Sequence, residues 1–172
     1  MLSLNCAKDL LAKCQRDQLA LSICETHPEY DYSMFDSVLS LNHLFEWYLK
    51  DDSIPDVKRL DCIKRFNPFQ SFDKVSRDLK KYYKKISSFP DINKNQKYIR
   101  LLCNKGKHFK KTVIETQERN ILATCGNMYA GNITAVASYF ERYKYSVEVD
   151  GKTFDIQHMI EDLLEQWVFF AT

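Results

Sequence analysis

Glycine and proline are scarce in this chain, with four of each among 172 residues. So few turn formers argue against a sandwich of many short strands and for long helices. No run approaches the roughly 18 apolar residues that a membrane-spanning helix requires. The opening residues, Met1 to Asp9, lack a basic stretch followed by a sustained apolar one, so no secretory signal is expected. A cytoplasmic location without membrane contact follows as the expectation. The six cysteines (Cys6, Cys14, Cys24, Cys62, Cys103 and Cys125) include no C-x-x-C pair, and neither a zinc ribbon nor a thioredoxin-type site is indicated. In a reducing compartment they read as partly buried thiols. Internal repeats and low-complexity tracts are also missing.

What is present is the composition of a packed protein, 45% hydrophobic and 28% charged. The length suits a single domain spanning residues 1–172, large enough to bury a core without disulfide or metal staples. The net charge of +2 conceals a segregation. Residues 1–57 sum to −6 and residues 112–172 to −5, whereas residues 58–111 hold 17 Lys/Arg against four Asp, for +13. Such a segment attracts polyanions such as RNA or DNA. It could equally neutralise the acidic helices on either side, within one chain or across a dimer.

Apolar spacing of three and four predicts an amphipathic helix over residues 3–25, on Leu4, Ala7, Leu11, Cys14, Leu19 and Ile23. A second is predicted from Tyr32 to Lys50, on Met34, Val38, Leu41, Phe45 and Tyr48. Asp56 to Arg65 reads as a short helix stopped by Asn67-Pro68-Phe69. From Ser71 the pattern predicts a further helix, with Phe72, Val75, Leu79, Tyr82, Tyr83 and Ile86 inward and Lys80, Lys81, Lys84 and Lys85 outward. Phe89-Pro90-Asp91 reads as a turn, and the next helix as Asn93 to Lys110, on Tyr98, Leu101, Leu102 and Phe109. Tyr139, Tyr143, Tyr145, Val147 and Val149 then recur with period two before Asp150-Gly151, which predicts a β-hairpin with a type I′ turn continuing through Lys152 to Ile156. A last helix, Gln157 to Phe170, presents Ile160, Leu163, Leu164, Trp167 and Val168. The expected fold is therefore mainly α, a helical bundle of about five helices with a β-hairpin before the C-terminal one.

Two helical faces carry chemistry. Arg100, Asn104, His108 and Lys111 stand at offsets of 0, 4, 8 and 11, which aligns them on one face, flanked by Lys105 and Lys107. An imidazole that moves a proton near neutral pH, beside cations that stabilise phosphate charge, suits anion binding or metal-independent RNA cleavage. A solvated basic face with His108 packing or capping is the plainer reading. On the second helix, Ser40, His43 and Trp47 share a flank with Asn42 and Glu46 beside them. His43 and Glu46, three apart, can touch. They could orient a catalytic group, ligate a metal with His108, or form a satisfied polar pair between helices.

His43-Leu44-Phe45-Glu46-Trp47, then Asn104-Lys105-Gly106-Lys107-His108 and a late hairpin leading to Trp167, resemble a group of small bacterial proteins with His-Leu-x-x-Trp and Asn-x-x-Lys-His helices. Their helical core is similar to the HEPN superfamily (higher eukaryotes and prokaryotes nucleotide-binding). That resemblance implies an RNA-directed protein, of the kind found as dimeric ribonucleases in toxin–antitoxin and antiphage systems, with a homodimer and an antitoxin or other protein as partners. It implies no cofactor and no metal. His108 would be acid or base, Arg100 and Lys107 phosphate stabilisers and Asn104 a positioning group, with Lys80, Lys81, Lys84, Lys85, Lys105 and Lys111 along the RNA and His43 and Glu46 in support. The superfamily's Arg and His are separated by four to six residues; here Arg100 and His108 are separated by seven and lie about 12 Å apart along a helix axis. A member that binds without cleaving, or a non-catalytic module docking an acidic protein or its own copy, is the alternative.

Overall fold

A computed structural model describes residues 4–24, 27–107, 145–149 and 152–171. Among these residues, six α-helices and a hairpin follow in the order α1 (Ala7–Ile23), α2 (Glu29–Lys50), α3 (Asp56–Phe66), α4 (Lys80–Tyr83), α5 (Lys94–Lys107), β1 (Ser146–Val149), β2 (Lys152–Asp155) and α6 (Ile156–Ala171). The mainly helical bundle with a hairpin before its last helix is thus the observed fold, and α4 is a single turn. No helix among the described residues is long and apolar enough to cross a membrane.

Helix α2 is the spine of the bundle. Met34, Val38, Leu41, Phe45 and Tyr48 are all buried, as their spacing predicts. Helix α1 packs along it and is tied to it by a polar cluster. Lys13 Nζ donates to Ser40 Oγ at 2.7 Å, Ser40 Oγ donates to Asp17 Oδ2 at 2.5 Å, and Lys13 and Asp17 form an ion pair. The hydroxyl of buried Ser40 is therefore satisfied across the α1–α2 seam. Against expectation, Leu19 and Ile23 are exposed. The buried stripe of α1 runs through Ala7, Leu10, Cys14 and Leu21, and those two positions fall off it.

The start of α1 is capped twice. Asp9 accepts from the amides of Asn5 and Cys6, and Asp51, at the far end of α2, accepts from the amide of Ala7 at 2.8 Å. The Ser53 hydroxyl and then the Ala7 amide hold the Asp51 carboxyl below its ordinary value of 3.8. A depressed carboxylate stabilises the fold above the unfolded pKa and loses that contribution as pH falls through the folded one. Asp51→Asn is therefore expected to lower stability by about 1 kcal/mol at about pH 7, with the gap to wild type narrowing as the pH falls below the ordinary carboxylate value and through the lowered folded one. Thermal melts of the two proteins across that range check it.

The region 71–86 corrects the sequence expectation of a continuous helix. Phe72–Lys74 is one 3₁₀ turn, Val75 is extended, and an α-helical turn begins only at Lys80. Ser71, Asp73, Ser76 and Asp78 are poor helix interior residues, each able to offer the backbone a competing side-chain bond. The break buries Val75, Leu79, Tyr82 and Tyr83 but releases Phe72, which is exposed instead of inward. Helix α5 also departs in detail. Ile99 and Cys103 are fully packed, whereas Leu101 points to solvent.

Helix α6 closes the core. Ile160, Leu163, Leu164 and Trp167 are buried as predicted, with Val168 packed against them. The hairpin is antiparallel, as expected, and pairs Ser146 with Asp155, Val147 with Phe154, Glu148 with Thr153 and Val149 with Lys152. Its Phe154 ring lies 5.2 Å from that of Tyr98 on α5, and Val147 is buried. The expected strand positions Tyr139 and Tyr143, and the turn residues Asp150 and Gly151, lie outside the described residues. Cys6, Cys14, Cys24, Cys62 and Cys103 form no disulfide. Burial pushes the Cys14 thiol up to about 12, which removes its nucleophilic form at neutral pH.

Candidate nucleic-acid interface

Pro68 forces the residue before it out of helical geometry, and Asn67 accordingly ends α3 with φ −57° and ψ 116°. Its side chain then becomes a hub. The Asn67 amide nitrogen donates to the carbonyls of Phe69 and Pro90, each at 2.9 Å, and of Asp91 at 3.3 Å. Its oxygen accepts from the Phe69 amide at 3.1 Å and the Tyr83 hydroxyl at 2.8 Å. The Asn67 carbonyl accepts from the Asn93 amide at 2.8 Å. Asn67 is 0% exposed and its polar atoms are satisfied. One buried residue thus joins the end of α3, the helical turn α4, the Phe89-Pro90-Asp91 turn and the start of α5. Burial pushes the Tyr83 phenol far up, so its hydroxyl stays a donor at any physiological pH.

Around that hub runs a column of rings. Phe89 stacks on Tyr83 with centroids 5.6 Å apart and planes inclined by 26°. Tyr83 meets Phe69 edge-on at 5.8 Å, and the Arg100 guanidinium lies 4.7 Å from the Phe69 centroid. Arg100 reaches α5's neighbour α2 as well, with Nη1 3.7 Å from Glu46, which also faces Lys50 at 3.8 Å. Helix α5 is aimed by its cap. Asn93 accepts from the Gln96 amide at 2.9 Å and donates to Gln166 of α6 at 3.0 Å.

The lysines predicted to face outward lie on and just after α4, the turn that contributes Tyr83 to this column. Lys80 Nζ is 5.4 Å from the ring of Phe72 and Lys81 Nζ is 4.8 Å from that of Tyr82. Lys84 is exposed, and Lys85 is bound to Asp56 at 2.7 Å. An open depression of about 530 Å³ lies between α2 and this segment, lined by Lys50, Arg77, Lys81 and Tyr82 with Asp52 and Asp78. Neutralisation from the acidic first third reaches only part of the basic segment. Arg59 pairs with Asp52 and Asp56, Lys85 with Asp56 and Arg100 with Glu46. Among the described residues Lys58, Arg65, Lys74, Arg77, Lys80, Lys81, Lys84, Lys94 and Lys97 make no ion pair.

Of the expected catalytic set, Arg100 and Asn104 stand one turn apart on α5, with Asn104 exposed and Arg100 held inward by Glu46 and Phe69. Lys105 and Lys107 belong to the last turn of α5, while His108 and Lys111 lie outside the described residues. His43 is half-buried on α2; the ion-pair partners of Glu46 are Arg100 and Lys50. Among the described residues no three His, Cys, Asp or Glu side chains gather where they could hold a metal ion. The residues that organise the site, Asn67, Phe69, Tyr83 and Phe89, did not stand out in the sequence as functional. The signal was present as two proline turns, 67–69 and 89–91, whose meeting no local pattern encodes. Compared with family models, curated proteins and solved structures, the chain matches none.

Proposed function

We propose that this chain is an RNA-directed protein that holds the phosphate backbone on the basic face running from α3 through α4 to α5. The observation that carries this is the set of lysines in residues 58–97 that make no ion pair among the described residues, including Lys80, Lys81 and Lys84 on and just after α4. Unpaired ammonium groups cost little in water and gain most from a polyanion whose counterions they release. The HEPN-like resemblance favours RNA over DNA as the source of that phosphate, and a ribonuclease of a toxin or antiphage system is the narrower form of the reading. The rival is a module that docks an acidic protein or a second copy of itself.

Substitution of Lys80, Lys81 and Lys84 together by Gln is expected to weaken RNA binding and to flatten the plot of log affinity against log salt by up to about 2, at about 0.7 for each single-strand phosphate lost. Titration of labelled RNA at several salt concentrations measures it. An unchanged slope removes this face from the interface. Analysis of RNA ends after incubation extends the same experiment. Ends bearing 2′,3′-cyclic phosphate add cleavage to binding, and intact RNA assigns the protein to binding alone.

A further inference from the structure

We propose that the basic face takes nucleic acid as a single strand, with the rings of Phe89 and Phe72 stacking on unpaired bases while the neighbouring lysines hold the phosphates. This rests on the nucleic-acid reading above and adds the form of the ligand.

The lysines cannot choose between single strand and duplex, because both present the same phosphate charge. The rings can. A duplex buries its base faces in its own stack and shows a protein only base edges, whereas a single strand offers flat faces that stack on aromatic side chains whatever their sequence. Phe89 is 39% exposed and has one face against Tyr83, which leaves its solvent side to a ligand. It is also held in place. The carbonyls of the next two residues, Pro90 and Asp91, are bound by the buried Asn67 amide, so the ring is presented by a fixed loop. A pre-positioned ring loses little conformational entropy when a base stacks on it.

Phe72 supplies the second platform. It is 36% exposed because the chain breaks its helix at Val75, and the Lys80 ammonium stands 5.4 Å from its ring. The ammonium lies over one face of the ring, so a base stacks on the opposite face and the cation meets the adjoining phosphate, which matches the repeating unit of a single strand. The column behind Phe89 continues through Tyr83 and Phe69 to Arg100, so the stacking end and the guanidinium belong to one rigid assembly.

The test is fluorescence anisotropy with a labelled uridine-rich RNA of about 12 nucleotides, against the same length of RNA duplex. Wild type is expected to bind the single strand more tightly. Phe89→Leu is expected to weaken single-strand binding roughly 5- to 150-fold, the equivalent of losing one stacked base, with duplex binding and the salt slope nearly unchanged. Phe72→Leu acts in the same direction. Phe89→Trp keeps the platform, so it retains affinity, and its indole emission is quenched by the single strand and not by the duplex. That quenching is decisive should Phe89→Leu loosen its packing on Tyr83 and lower the melting temperature. Equal affinity for the two forms, or leucine variants that bind like wild type with no indole quenching, overturns the stacking proposal and leaves the basic face standing. A triple-lysine variant that also binds unchanged shows instead that the nucleic-acid reading itself has failed.

Discussion

Asn67→Ala is expected to lower the free energy of unfolding by about 3–5 kcal/mol, well above the ordinary effect of removing one polar side chain. The reason is the number of groups it strands. The Tyr83 hydroxyl and Phe69 amide lose their acceptor, and the carbonyls of Phe69, Pro90 and Asp91 lose their donor. Asn67 and Tyr83 are buried, so water cannot fully replace these bonds, at about 1–3 kcal/mol for each buried group left unsatisfied. Tyr83→Phe removes a single bond and is expected to cost only about 1 kcal/mol. For a protein of this length 1 kcal/mol corresponds to about 2–4 °C, so the two variants should melt several degrees apart. Equal melting temperatures would show that the proline turns hold themselves together without the hub.

Trp167→Ala is expected to destabilise by a similar amount, about 3–5 kcal/mol, for a different reason. The indole is 0% exposed, stacked on Phe66 with centroids 3.9 Å apart and planes inclined by 7°, and packed against Tyr48 and Phe170. Its Nε1 donates to Gln96 Oε1 at 3.2 Å, joining α6 to α5. Trp167 also lines a cavity of about 540 Å³ between α1, α2 and α6, so truncation enlarges an existing hollow rather than letting the walls collapse. Trp167→Phe separates the two contributions. It restores most of the packing but leaves the buried Gln96 oxygen without its donor, and is expected to cost about 1–3 kcal/mol. Denaturant unfolding of both variants checks the order, and a phenylalanine variant as unstable as the alanine one would assign the effect to the hydrogen bond alone.

The candidate site was legible in parts. Lys80, Lys81, Lys84 and Lys85 stood out by charge, and Arg100 and Asn104 by their spacing of four on one helix. That Glu46 belongs with Arg100 was not legible as a pair, though both had been singled out on separate helices; the ion pair between them depends on how α2 and α5 pack. Phe69 and Phe89 carried no signal, because an aromatic residue next to proline in a turn looks the same whether it is a stacking platform or a loop residue.

By itself the sequence determined the helical class, the buried stripe of α2 and of α6, and the hairpin before the last helix. Each of these follows from a repeat of about 3.6 or 2 residues and from turn residues a few positions away, which are local properties of the chain. Tertiary structure decided the rest. The stretch from Ser71 to Ile86 has helical spacing, yet it breaks at Val75, and in the packed fold Val75 and Leu79 are buried while Phe72 is left exposed. The meeting of residues 67–69 with 89–93 joins segments more than twenty positions apart through one buried amide. Contacts at that separation depend on which helices pack together, and the free energy that selects them comes from burying the whole core, so no periodicity in the chain announces them.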